Sequence, residues 1–418
     1  MSFITTATRM YLTRSFKPFS FTADDGSTLP DINATEHPGL YVHIPFCRNI
    51  CNFCPYCKVL FDQELSDSYI SALKKEIEIA SGSLPVPKTV TSLYFGGGSP
   101  ALAADHLAEI IALLKKYYRI TDGIGIELHP DDVNIDTLQK LKRAGVTRIS
   151  IGIQSFQKKF QNMLGRKTID FRQMKTVLSQ VDFETVSMDF IFALPGQNFE
   201  DLQNDIDTAF ANGANHIAIY PFINFSFVPT PRKTMNNRDK RQLLDQITAY
   251  LTGRGCYRDS IWTFAAGKTH KYSSMTRDNF IGFGCSATTL LKDQFRINTF
   301  SVKDYCRRIG DNLLPTALKC DFTKRQRMLY WLFWRLYTTK VAAGEFEKQF
   351  GVTLQKVFGT ELNFARLAGW ISRAGEMFEL TGKGAYYFHY YEGFYTLAYI
   401  DKMWGLLRHT PFPDKMTL

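Results

Sequence analysis

Four cysteines fall within eleven residues in the run Tyr41-Val-His-Ile-Pro-Phe-Cys47-Arg-Asn-Ile-Cys51-Asn-Phe-Cys54-Pro-Tyr-Cys57. Thiolates are soft ligands, and a short loop can wrap several of them around one face of an iron–sulfur cube. Cys47, Cys51 and Cys54 follow the spacing Cys-x3-Cys-x2-Cys, which serves three irons and leaves a fourth without a protein thiolate. An open iron accepts an outside ligand through paired amino and carboxylate groups, and S-adenosylmethionine (SAM) carries both. The expected cofactors are therefore a [4Fe-4S] cluster and SAM, with reductive cleavage of the sulfonium to a 5′-deoxyadenosyl radical. That chemistry belongs to the cofactor, while the protein supplies position and keeps water out. A structural zinc site, which prefers two separated ligand pairs, or a closed iron–sulfur centre is the competing reading. Cys57 is a fourth ligand, a bystander or a thiol beside the substrate.

Further candidates recur at intervals downstream. Phe95-Gly96-Gly97-Gly98-Ser99-Pro100 lets backbone approach a ligand closely, and its free amides and carbonyls suit an amino acid's charged end. Glu127 is suited to bond the methionine amine, Gln154 and Asp189 the ribose or carboxylate, and Arg166 to offer the carboxylate a cation. Ile191 to Gly196 forms an apolar turn fit for an adenine or for a plain strand exit. His43 reads as a hydrogen-bonded core histidine. The scattered Cys256, Cys285, Cys306 and Cys320 read as core residues, with Cys285 on a glycine turn that can face the pocket.

Positioning these residues requires a repeated scaffold. Strand-like runs at 40–44, 90–95, 123–128, 148–153, 185–192 and 216–221 alternate with helical patterns at 66–81, 104–118, 135–144, 171–181, 198–212 and 237–254. Six strands each followed by a helix predict a parallel sheet with right-handed crossovers. The polar candidates sit at successive strand ends, so they converge if the sheet curls into a partial (β/α)6 TIM-type barrel. Beyond residue 320 come helices at 323–338, 344–350 and 361–374, a hairpin at 377–388 and a terminal helix at 393–407. That order predicts a helical, winged-helix-like cap serving as a packing lid. The expected domains are an N-terminal segment (1–38), the barrel (39–255), a connecting, substrate-side region (256–319) and the C-terminal domain (320–418).

With 418 residues, 45% of them hydrophobic, the chain can bury a large core without staples. The clustered cysteines are no disulfide framework, and no long apolar run predicts a membrane span. A cytoplasmic protein with reduced thiols is the expectation, and the basic opening segment reads as a frayed end. Fifty basic against forty acidic side chains give +10, scattered in short clusters such as Arg232-Lys233. That excess suits an anionic small molecule and argues against nucleic acid, since no cap helix gathers its bases on one face.

Taken together, Tyr41-Val-His-Ile-Pro-Phe-Cys47, Gly96-Gly-Gly-Ser-Pro100, Glu127-Leu-His-Pro, Gly152-Ile-Gln-Ser-Phe, Met163-Leu-Gly-Arg166 and Met188-Asp-Phe-Ile-Phe-Ala-Leu-Pro resemble the HemN-type radical SAM family. The resemblance is close over 39–290 and loose over 320–390. It implies Cys47, Cys51 and Cys54 as cluster ligands, and Tyr41, Phe53, Gly97, Gly98, Ser99, Glu127, Gln154, Arg166 and Asp189 as SAM contacts. Gly282-Phe-Gly-Cys-Ser-Ala287 resembles a later turn near the substrate or a second SAM molecule. The implied activity is that of a radical SAM oxidoreductase acting on a tetrapyrrole, as in coproporphyrinogen III oxidase-like decarboxylation. Methyl transfer or cyclopropanation by a HemN-like enzyme, and haem chaperoning, are the alternatives. A flavodoxin or ferredoxin is the implied electron donor. Two departures bear on the substrate. The family's oxidase has its extra cysteine two positions after the third ligand, whereas Cys57 follows Cys54 by three, and its N-terminal substrate-contacting segment has no match in 1–38.

Overall fold

The computed structural model describes residues 3–166, 169–228, 234–267 and 278–418, so the Arg232-Lys233 pair lies outside the described residues. Its centre is six parallel strands: β1 (Gly39–Ile44), β2 (Leu93–Gly97), β3 (Ile124–Leu128), β4 (Arg148–Gln154), β5 (Thr185–Phe192) and β6 (His216–Pro221). Each is buried along nearly its whole length because both faces are covered, and their Ile, Leu, Val, Met and Phe residues make the runs stand out in the sequence. The strands lie side by side in chain order without a reversal. A doubly wound sheet reverses at its switch point, so this single winding is that of the expected partial barrel.

The intervening helices are bounded by local chemistry. Asp62, Asn134, Asn198 and Asn236 cap Gln63–Ser81, Ile135–Arg143, Phe199–Ala211 and Asn237–Gly253, each accepting from a backbone N–H in the first turn. Asn198 and Asp201 form a reciprocal capping box. The helix expected at 171–181 is reduced to Met174–Leu178.

One buried acid fastens this outer layer to the sheet. Asp205, on Phe199–Ala211, accepts from Ser155 Oγ at 2.7 Å and from the Phe156 N–H at 2.9 Å, just beyond the end of β4. Burial raises its carboxyl from 3.8 to about 6, against the lowering effect of those two hydrogen bonds. A raised acid binds its proton more tightly folded than unfolded, so stability is greatest below pH 3.8 and falls as pH rises to about 6. The Asp205→Asn variant lacks that titration. Urea melts across this window are expected to show wild type losing on the order of 2 kcal/mol relative to the variant. Parallel pH profiles for the two proteins would remove Asp205 as the source.

The sheet does not stop at the barrel. Phe280–Phe283 pairs parallel with β1, and from it antiparallel strands continue through Thr288–Leu291, Gln294–Asn298, Thr316–Asp321, Ser20–Ala23 and Lys415–Thr417. At the opposite edge Thr263–Ala265 runs antiparallel to β6. The opening segment is thus not a frayed end: helix Phe3–Thr13 leads into a strand held between two others. That pairing spans some three hundred residues, which no local pattern announces.

Helices Lys324–Tyr337, Ala343–Phe350 and Leu354–Leu367 pack with a three-stranded sheet (Lys340–Ala342, Ile371–Ala374, Met377–Leu380) around Trp331, Phe346, Phe358 and Phe378. This is the winged-helix-like order, with the hairpin at 371–380 rather than 377–388. The aromatic run Tyr386 to Tyr391, which favours strand by composition, lies instead in helix Gly382–Tyr395, capped by Thr381. Its continuation through 396–400 into Asp401–His409 packs on the main core through Ala398, Met403 and Leu407. Among the described residues no helix is long and apolar enough to cross a membrane.

Candidate functional site

The carboxyl ends of β1 to β3 and the segment after β4 build one cavity. Cys47, Cys51 and Cys54, on the loop after β1, line it with Gly98 and Ser99 from the turn after β2, His129 after β3, and Arg166. A cavity of about 70 Å³ lies between them and opens to solvent. Backbone bonds fasten the glycine turn beneath the cysteine loop: Gly98 N–H donates to Ile44 O at 2.8 Å and Ser99 N–H to Phe46 O at 2.7 Å. Gly97 takes φ +125°, a conformation closed to other side chains at little cost only for glycine. A methyl group at Gly98 would stand 2.9 Å from Cys47 Sγ and 2.5 Å from Phe46 O, so the turn touches the first cysteine only because a hydrogen occupies that place.

The donor set fits a multi-atom thiolate-bound cluster. A single tetrahedral ion draws its sulfurs to about 3.8 Å from one another. Yet among the described residues these three thiols do not form a group whose ligand atoms all lie within 4.8 Å. They surround open space instead of converging on a point. Burial, followed by the charges of Cys54 and Cys51, pushes the Cys47 thiol up to about 12, so ionising all three together calls for a cationic group between them. Cys57 takes no part in this cavity: it is buried, with its thiol donating to Phe300 O at 3.1 Å and 3.8 Å from Cys285 Sγ.

Glu127 bridges the second and third strand ends. Its Oε2 accepts the Gly97 N–H at 3.0 Å and its Oε1 the Tyr94 hydroxyl at 3.2 Å. Tyr94 stacks on Tyr41 with ring centroids 6.3 Å apart, which places Tyr41 against the glycine turn. Burial raises the Glu127 carboxyl to about 7, the Gly97 bond opposes that rise, and the Asp189 charge adds to it. Asp189, also raised by burial, accepts from Ser150 Oγ at 2.8 Å and Ser187 Oγ at 3.1 Å. A carboxylate raised by burial and by the charge of a second one nearby favours a cationic ligand.

Arg166 donates to Gly152 O and, at 3.2 Å, to Ile153 O, and lies over the Phe53 ring 5.7 Å from its centroid. Phe53 packs in turn on a small core of Phe160, Leu164, Ile191, Leu194 and Phe222, which absorbs the apolar turn after Asp189. Gln154 holds φ +67°, a left-handed backbone at the end of β4. Thus the three cysteines, Gly98, Ser99 and Arg166 share one cavity, Tyr41, Gly97 and Glu127 adjoin it through the glycine turn, Phe53 lies under Arg166, and Gln154 at the end of β4 and Asp189 within β5 do not line it.

Several neighbours escaped the sequence reading. Buried Asp132 accepts from both Ser99 Oγ and Arg48, tying the glycine turn to the cysteine loop. It lies in Glu127-Leu-His-Pro-Asp-Asp132, so the motif that marked Glu127 also carried His129 and Asp132. Tyr56 and Tyr220 keep 50% and 36% of their surface accessible, yet burial pushes both phenols well above their ordinary range. Glu392, whose carboxyl burial raises to about 7 and which accepts from Trp262 Nε1 at 3.1 Å, adds its charge to that of Asp189 in raising Tyr56. The helix Asp401–His409 meets the cysteine loop directly, with the Trp404 ring 5.8 Å from that of Tyr56 and Arg408 donating to Pro55 O.

Comparison with known proteins agrees with this geometry. Residues 41–209 match the radical SAM superfamily. The heme chaperone HemW of Bacillus subtilis is 26% identical over 368 residues, 82% of this chain and 95% of HemW. The oxygen-independent coproporphyrinogen III oxidase of Pseudomonas aeruginosa is 25% identical over 367 residues, 80% of each chain. The solved structure of the coproporphyrinogen III oxidase HemN from Escherichia coli shares the fold with a TM-score of 0.74 at 20% identity, covering 91% of this chain and 96% of that one. The chain thus carries a match to the radical SAM superfamily, whose members bind a [4Fe-4S] cluster and SAM, and over 80–82% of its length it is similar to HemN-type proteins of that superfamily.

Proposed function

We propose that this chain is a radical SAM oxidoreductase acting on a tetrapyrrole, with Cys47, Cys51 and Cys54 holding the cluster. When bound, the reduced cluster supplies the electron that cleaves SAM to methionine and a hydrogen-abstracting 5′-deoxyadenosyl radical. The observation that carries the reading is the meeting of three thiols with a glycine turn whose Gly97 amide is held by half-buried Glu127. Glu127 and Asp189 favour the ammonium and sulfonium charges of SAM, Arg166 its carboxylate, and Gly97, Gly98 and Ser99 its methionine end. Tyr41 and Phe53 pack beside the nucleotide, and Gln154 bonds the ribose or carboxylate. Tyr56 and Tyr220 keep accessible aromatic surface suited to a flat macrocycle. A flavodoxin or ferredoxin supplies the electron.

The test is mass spectrometry after anaerobic incubation of reconstituted protein with SAM, a strong reductant and a panel of tetrapyrroles. The expected result is 5′-deoxyadenosine, which takes up one abstracted hydrogen atom, together with a macrocycle lighter by carbon dioxide and two hydrogens for each side chain converted, the second hydrogen leaving as a proton and its electron passing to an added one-electron acceptor. Product gaining SAM-derived carbon would replace decarboxylation with methyl transfer. The similarity to HemW favours a second reading, haem chaperoning, which predicts stoichiometric haem binding without turnover of the ring. Fully loaded cluster that leaves SAM intact under reduction would overturn the enzyme reading.

A further inference from the structure

A second set of soft ligands lies outside the three-thiol cavity. His43 is on β1, Cys57 closes the cysteine loop, and Cys285 follows the strand Phe280–Phe283 that pairs with β1. All three are buried, and one ligand atom from each lies within 4.8 Å of the other two. They form the only such group of three or more potential ligands among the described residues. The spacings match a single ion, unlike those of the cluster cysteines. Cys57 Sγ and Cys285 Sγ are 3.8 Å apart, and zinc–sulfur bonds of about 2.3 Å arranged tetrahedrally set two sulfurs about 3.8 Å apart. Ser286 Oγ is 3.4 Å from His43 Nε2, and nitrogen and oxygen on one tetrahedral zinc stand about 3.4 Å apart.

Two further features support a ligand at this place. Ser286 holds φ +57°, a left-handed conformation that is unfavourable for a non-glycine residue and is concentrated at functional sites. His43 also has the partner expected of a ligating imidazole, since its Nδ1 lies 3.0 Å from the Tyr41 hydroxyl. A ligating histidine commonly donates its second ring N–H to such an oxygen, which fixes the tautomer and turns the other nitrogen toward the metal.

We propose that His43 Nε2, Cys57 Sγ, Cys285 Sγ and Ser286 Oγ form a mononuclear site for a divalent cation of the zinc class, separate from the cluster. Without the cation, His43 Nε2–H donates to Cys57 O at 3.0 Å and the two thiols share a hydrogen bond. Binding transfers the imidazole proton to Nδ1, which donates to the Tyr41 hydroxyl oxygen, and releases both thiol protons to solvent. No electron moves. The bound ion ties the end of the cluster loop to the glycine turn beside β1, two segments 228 residues apart. Cys57 thereby gains a role distinct from cluster ligation and substrate chemistry.

Full-length protein prepared anaerobically and supplied with zinc separates the alternatives by elemental analysis. Wild type is expected to hold about one zinc per chain besides its iron. A variant with Cys47, Cys51 and Cys54 all changed to alanine keeps the zinc and loses the iron, whereas Cys285→Ala and Cys57→Ser lose the zinc and keep the iron. The two metals thus report separately on this site and on the cluster. Cobalt substitution of wild type, which needs no variant to fold, is expected to give intense sulfur-to-cobalt charge-transfer absorption. Absence of both stoichiometric zinc and that absorption overturns the proposal, as does a Cys57–Cys285 disulfide found by thiol mapping of the anaerobic protein. Zinc that disappears with the three cluster cysteines instead of with Cys285 does the same.

Discussion

Changing Cys47, Cys51 or Cys54 singly to alanine is expected to lower reductive SAM cleavage by roughly 10³-fold or more, an activation cost of about 4 kcal/mol or above. The three thiols face one another across the cavity, and the charged side chains around them that bear nitrogen, Arg48, Lys58 and Arg166, are cations with no lone pair to offer iron. His129 lies nearby, but its Nδ1 accepts the Asp131 N–H at 3.3 Å, and it reaches the cavity from the segment after β3 instead of from the cysteine loop. A lost thiolate therefore has no ready substitute. Iron and sulfide analysis after reconstitution is expected to fall in step with 5′-deoxyadenosine production, while thermal melts stay near wild type because all three cysteines are only partly buried. Cys57→Ala serves as the contrast: its thiol points to Phe300 and Cys285, so its iron content is expected to match wild type. A Cys51→Ala protein that kept four irons and cleaved SAM at the normal rate would sink the ligand assignment.

The sequence announced this region because the constraints there are local. Cys-x3-Cys-x2-Cys lies on one loop, and β1 to β6 are buried on both faces, so their apolar runs need no knowledge of partners. Strand ends recur once per β/α unit, which is why Glu127, Gln154 and Asp189 could be picked out before their surroundings were known. What escaped depends on distant pairing. Ser20–Ala23 becomes a strand through Thr316–Asp321 and Lys415–Thr417, and Trp262 meets Glu392 across 130 positions. The end of the hairpin expected at 377–388 misled because the aromatic residues Tyr386 to Phe388 fit a half-buried pleated surface by strand propensity, whereas here they lie in a helix. Asp132 was a different omission: it stood inside a motif already singled out, but its importance lies in joining Ser99 to Arg48, a relation between loops that spacing does not encode.

Gly98→Ala is expected to impair SAM cleavage on the order of 10²-fold, the loss that accompanies displacement of a positioned reactant by about 1 Å. The added carbon would lie 2.5 Å from Phe46 O, 2.9 Å from Phe46 C and 2.9 Å from Cys47 Sγ, and two of those atoms are backbone that cannot rotate aside. Relief requires the glycine turn and the cysteine loop to part, which strains the Ser99 N–H to Phe46 O bond and the bridge from Ser99 through Asp132 to Arg48. The destabilisation typical of overpacking, about 1–3 kcal/mol, is too small to unfold a chain of this size, so the damage falls on cluster retention and on the seat for the methionine end. Iron content should drop less than activity, because the three thiols remain. Gly253→Ala is the matched control: its added carbon meets nothing within 4 Å, and alanine near a helix end is neutral or mildly stabilising. If Gly98→Ala retained wild-type iron and wild-type turnover, the contact between turn and cysteine loop would have no part in setting the cluster's place.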